Sequence, residues 1–83
     1  MQVYADLNDD SGVSSYEIRS SSIKVWFNRD SASYVYSYDS AGQYHVEHMK
    51  KLALRGYGLN TYINNHVKRD YEWVKVKSNT EKL

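Results

Sequence analysis

The sequence predicts a single α+β domain: a small antiparallel sheet of about three strands, followed by two α-helices packed on one face, with room for a short C-terminal strand. Three observations predict it. Apolar residues alternate with a period of two over residues 22–28 and 33–39, the pattern of half-buried strands. From residue 43 the spacing lengthens to three and four, the pattern of a helix with one buried stripe. A length of 83 residues, with no cysteine and no proline, leaves space for one core and no disulfide framework. The domain is expected over residues 16–77, between an acidic, polar N-terminal arm (1–15) and a polar tail (78–83).

Residues 1–15 are rich in Asp, Ser and Asn and read as a loosely held arm, with Val3, Tyr4 and Leu7 as anchors. A short strand is expected around Tyr16–Ser20, with Ile18 facing in. In residues 22–28, Ile23, Val25 and Phe27 share one face while Lys24, Trp26 and Asn28 share the other. Arg29-Asp30-Ser31-Ala32 supplies a polar turn, so Ser33–Asp39 pairs back as a hairpin partner. It places Tyr34, Tyr36 and Tyr38 on one face. A helix follows over 43–55, burying Val46, Met49, Leu52 and Ala53, with Ser40 as N-cap and Gly56 as the left-handed stop. A second helix is expected over 60–69, capped by Asn60, with Leu59, Tyr62, Ile63, His66 and Val67 on its stripe. Tyr71–Lys77 alternates once more, as a last strand or a tail lying on the sheet.

These elements resemble the KTSC domain, a short bacterial and phage module named for its place at the C-terminus of some lysyl-tRNA synthetases. The resemblance runs from about Ser20 to Tyr71. It rests on Ser21-Ser22-Ile23 opening a strand, Tyr36-Ser37-Tyr38 as a Tyr-x-Tyr, and Gly56, Leu59, Asn60 and Ile63 as the Gly-to-Ile segment. Gly58 and Ser40-Ala41 depart from that pattern. The resemblance implies no catalytic activity; the role it implies is RNA binding.

Net charge is +1, which argues against a strongly basic nucleic-acid clamp. The halves differ, however. Residues 1–42 carry three basic side chains against six acidic ones, and residues 43–83 carry eight against four, so a locally positive face is available to steer a polyanion. No apolar run approaches the ~20 residues of a membrane helix. Met1–Asp6 lacks the regions of a signal peptide, so a cytoplasmic location is expected. A core this small, burying about 60–65% of the unfolded surface, is also compatible with a homodimer.

Catalytic constellations are missing from the pattern. There is no Gly-x-Ser-x-Gly elbow, no cysteine, no P-loop and no dinucleotide fingerprint, so neither enzyme activity nor a cofactor is expected. Asp6, Asn8, Asp10 and Glu17 fall at calcium-loop positions, but the glycine comes one residue late and no helix can precede them. His45 and His48, with Asp39 nearby, lack the spacing of a zincin, and a pair of surface histidines is the expectation. His66 is expected to be partly buried and hydrogen-bonded.

The aromatics carry most of the chemistry. Trp26 beside Lys24, the Tyr34/Tyr36/Tyr38 stripe, and Trp73 with Lys75 and Lys77 suit an exposed face that stacks unpaired bases, if the tyrosines do not instead close the core. The expected function is a non-enzymatic binding module. Its contacts to RNA are Lys24, Trp26, Tyr36 and Tyr38, with Lys50, Lys51, Arg55, Lys68 and Arg69 meeting phosphate. The alternative is a protein partner engaged through the same aromatic patch and the acidic arm, as by a phage-type inhibitor of a host protein. Gly56, Asn60 and Ile63 are expected to be structural.

Overall fold

In a computed structural model, which describes residues 2–5, 12–28 and 32–76, the chain forms one five-stranded antiparallel sheet carrying helices on one face. The strands are β1 (Gln2–Val3), β2 (Val13–Ile18), β3 (Ser22–Phe27), β4 (Ala32–Ser37) and β5 (Trp73–Val76), and they lie in chain order across the sheet. The helices α1 (Tyr38–Ala41), α2 (Gln43–Arg55) and α3 (Leu59–Tyr62) stand between β4 and β5; α3 continues as a π-helical turn over Ile63–Val67.

The alternation over β3 takes the form its sequence predicts, with Ile23, Val25 and Phe27 buried and Lys24 and Trp26 only partly so. Register decides the orientation of the tyrosines. Ile23 stands opposite Tyr36 and Val25 opposite Tyr34, and directly opposed residues in an antiparallel pair share a face. Tyr36 is therefore core, at 1% exposure, and Tyr34 is half-buried against it. Tyr38 does not extend the stripe: β4 ends at Ser37, and Tyr38 opens α1.

Two strands are longer or earlier than expected. β2 begins at Val13, inside the stretch read as an arm, because a bulge sets Val13 and Ser15 opposite the adjacent residues Phe27 and Trp26. The bulge allows Val13 and Tyr16, three apart, both to be buried. At the margin, Gln2 and Val3 pair with Tyr16 and Ser15, and Tyr4 turns into the core at 3% exposure. The remaining acidic arm, with Asp6, Asn8 and Asp10, lies outside the described residues. Glu17, the last of the calcium-type positions, is on β2 and paired to Arg19 at 2.9 Å, which holds its carboxyl below the ordinary range.

Helix α2 spans the predicted residues and buries the predicted four, Val46, Met49, Leu52 and Ala53. It stops where Gly56 adopts φ 90°, and the Gly56 N–H donates to the Leu52 carbonyl at 2.9 Å. The caps differ from expectation. Ser40 is not the N-cap of this helix but the fourth residue of a capping box, in which Ser37 and Ser40 exchange side-chain bonds around α1. The residue before α2 is Gly42, at φ 94°. Nor does Asn60 cap the next helix. Gly58 precedes α3 at φ 87°, and the Leu59 N–H donates instead to the Tyr4 hydroxyl at 3.2 Å, across 55 residues of chain. Asn60 packs its amide against Gly12, where a Cβ would overlap it. Leu59, Ile63 and Val67 complete the core, but the wider π turn leaves His66 exposed, correcting the expectation that it is partly buried.

Candidate nucleic-acid interface

The residues singled out in the sequence are dispersed over the fold. Lys24 and Trp26 lie on the sheet face away from the helices, with the Lys24 ammonium 5.1 Å from the Trp26 ring centre. Trp73 and Lys75 take register positions opposite Val35 and Ser33 on β5, and Lys77 lies outside the described residues. Lys68 and Arg69 are exposed at the end of the π turn. Lys51 and Arg55 are exposed on α2. An exposed tyrosine face on the sheet is not formed.

Tyr38 and Lys50 are drawn into a buttress. The Tyr38 hydroxyl donates to Glu47 Oε2 at 2.5 Å and lies 3.2 Å from the Ser20 carbonyl. Lys50 Nζ donates to the same carboxylate at 2.8 Å and to the Ser20 carbonyl at 3.0 Å. These contacts tie α2 to the turn between β2 and β3, and they engage the Lys50 charge within the protein. Lys50, and then Tyr38, hold the Glu47 carboxyl below its ordinary range; the bond to Glu47 raises the Tyr38 phenol.

The solvent face of α2 and α3 concentrates what the sheet does not. All three histidines of the chain meet there around Tyr62. His45 Nδ1 and the Tyr62 hydroxyl are hydrogen-bonded at 2.6 Å. The His48 ring stacks on Tyr62 with centres 4.5 Å apart, and His66 packs 4.4 Å from it. His45 and His66 stack at 5.6 Å. Burial, with the neighbouring Tyr44, raises the Tyr62 phenol, which stays protonated. Among the described residues no group of three His, Asp or Glu side chains is arranged to hold a metal ion, and Asp39 sits apart on α1.

Around this hub lie two shallow depressions of about 440 Å³ each, sharing His48. One is lined by Gln43, Tyr44, Glu47 and Lys51; the other by Arg55, Tyr57, Thr61, Asn65 and His66. Tyr44 is 75% exposed, and the Arg55 guanidinium lies 4.2 Å above the Tyr57 ring. The face thus presents open aromatic surfaces, two exposed cations (Lys51 and Arg55) and several amide and imidazole groups. Sequence reasoning found Lys51 and Arg55 but missed Tyr44, Tyr57 and Tyr62 as their companions. The signal was the four-residue spacing of Tyr44 with His48 and of Tyr62 with His66; Tyr57 carried no such signal.

No family model, curated protein or solved structure matches the chain. No helix among the described residues is long and apolar enough to cross a membrane.

Proposed function

We propose that the chain is a non-enzymatic, cytoplasmic binding module for single-stranded RNA, which it takes on the solvent face of α2 and α3. The observation that carries this reading is the convergence of exposed aromatic rings with Lys51 and Arg55 along a groove that shares His48. Tyr44 and the Arg55–Tyr57 pair offer platforms for unpaired bases, each stack contributing about 1–3 kcal/mol. Lys51 and Arg55 neutralise phosphate, and Asn65, Thr61 and Gln43 supply hydrogen bonds to base edges. The KTSC-like pattern of the sequence supports the same class of ligand.

The test is fluorescence anisotropy with a labelled single-stranded RNA across a salt series. Affinity is expected to fall with salt, at about 0.7 log units per neutralised phosphate on a log–log plot. The double variant Lys51→Ala/Arg55→Ala should lower that slope by about 1.4. Binding that ignores salt, or ignores this double variant, overturns the assignment; a lysate capture returning one stoichiometric protein and no nucleic acid favours the protein-partner alternative.

A further inference from the structure

On the other side of the π turn from His66 lies a third concavity, of about 160 Å³, between the sheet and the turn. Its walls are Phe27, Tyr34, Tyr36 and Tyr71, and its mouth carries Asn64, Lys68 and Arg69. The rings stand edge to face: Phe27 to Tyr34 at 5.2 Å, Tyr34 to Tyr71 at 5.1 Å, and Tyr36 to Tyr71 at 6.2 Å. Tyr36 forms the floor. Its side chain is 1% exposed, yet its hydroxyl finds no hydrogen-bond partner among the described residues. A buried phenol hydroxyl ordinarily has one, and leaving it without costs stability. Burial, followed by Tyr34, Tyr71 and Asp70, also keeps this phenol protonated far into the alkaline range, so it remains a donor.

Size and chemistry together narrow the ligand. A cavity of about 150 Å³ accommodates one benzene-sized ring, so this cleft has room for a six-membered ring. Two cations at the mouth ask for an anion a few bonds from that ring. A donor at the floor and an amide at the rim ask for a ring with carbonyl oxygens on its edge. We propose that this cleft is a pyrimidine-nucleotide subsite: the base enters against Tyr34 and Tyr71, a base carbonyl accepts from the Tyr36 hydroxyl, and the phosphate lies on Lys68 and Arg69. The proposal rests on the reading of the chain as a nucleic-acid binder and adds base preference to it. A strand on the α2–α3 face crosses the π turn between Asn65 and Asn64 to reach the cleft.

The probe is uridine 5′-monophosphate, with adenosine 5′-monophosphate and inorganic phosphate alongside, titrated into the full chain and followed by amide chemical shifts. The uridine nucleotide is expected to move the amides of Tyr34–Tyr36, Asn64 and Lys68, and to bind about tenfold or more tightly than the adenosine nucleotide, whose larger ring system matches the volume of the cleft less closely. Tyr36→Phe keeps the ring packing and should weaken uridine nucleotide binding about three- to tenfold. Arg69→Ala provides a second variant outside the core and should weaken all phosphate-bearing probes. Equal binding of the two nucleotides, binding matched by inorganic phosphate, or an unchanged affinity in Tyr36→Phe each overturns the subsite. The two proposals fail separately. RNA binding without pyrimidine preference removes the subsite alone, and nucleotide binding in the cleft without RNA binding removes the α2–α3 interface alone.

Discussion

Replacing Tyr4 by Phe tests how the N-terminus holds the helical half in place. The Tyr4 hydroxyl accepts the N–H of Leu59, the first residue of α3, at 3.2 Å. Leu59 is fully buried and Tyr4 is 3% exposed, so water does not replace the lost partner. Gly58, which precedes the helix, has no side chain to do so. Phe retains the ring and its packing, leaving the hydroxyl as the only variable. The net loss of a hydrogen bond is about 0.5–1.5 kcal/mol, and stranding a buried donor costs about 1–3 kcal/mol, so a destabilisation of about 1–3 kcal/mol is expected. For a domain of this size that corresponds to a fall in melting temperature of roughly 5–15 °C. Urea unfolding followed by far-UV circular dichroism measures it, with the midpoint lowered and the slope unchanged. A Tyr4→Phe protein within about 0.3 kcal/mol of the parent would show that the Leu59 N–H does not depend on this bond.

Three further outcomes are expected. Gly12→Ala drives a Cβ into the Asn60 amide and should cost about 1–2 kcal/mol; adding Asn60→Ala should restore part of that, as a double-mutant cycle in urea would measure. Met49→Ala, at a fully buried position of α2, should cost about 2–5 kcal/mol in the same assay. The Glu47–Tyr38–Lys50 buttress predicts a pH signature. The lowered Glu47 carboxyl stabilises the fold above its ordinary value of 4.5, and this contribution disappears as pH falls through the lowered value. The raised Tyr38 phenol stabilises it below 10.0, and this contribution disappears as pH rises through the raised value. The melting-temperature difference between parent and Glu47→Gln should therefore shrink at both ends; a constant difference from acid to alkali contradicts the account.

What was legible in the sequence was local periodicity, and what was not depended on register or on distant partners. The four buried residues of α2 follow from spacing alone, as does the alternation of β3. Val13 was not visible as a strand residue because the bulge breaks the period of two between it and Tyr16. Ser40 and Ser37 are both good capping residues, and local sequence alone does not show that they close a separate short helix. The face taken by Tyr34 and Tyr36 is set by pairing across to β3, which no single strand encodes. His66 lies on the apolar stripe of an α-helix drawn from the sequence, and the π turn removes it from that stripe. The candidate interface was legible in its cations and illegible in its shape. Lys51 and Lys50 are neighbours in sequence, yet one is exposed and the other is spent on Glu47 and Ser20.

The chain-order arrangement of the strands bears on how the protein folds. Each strand pairs with its sequence neighbour, and β2, β3 and β4 are joined by short connections, so their contacts are local and closed at small entropic cost. The helices form one long excursion from Ser37 to Trp73, after which β5 returns beside β4. A transition state built on the three-strand meander is therefore expected, with the excursion docking afterwards. Val25→Ala should slow folding, whereas Val67→Ala should chiefly speed unfolding, and stopped-flow chevrons of the two variants distinguish this order from its reverse. On this account the α2–α3 face is assembled last and opens first, so the sheet can remain paired while that face is transiently undone.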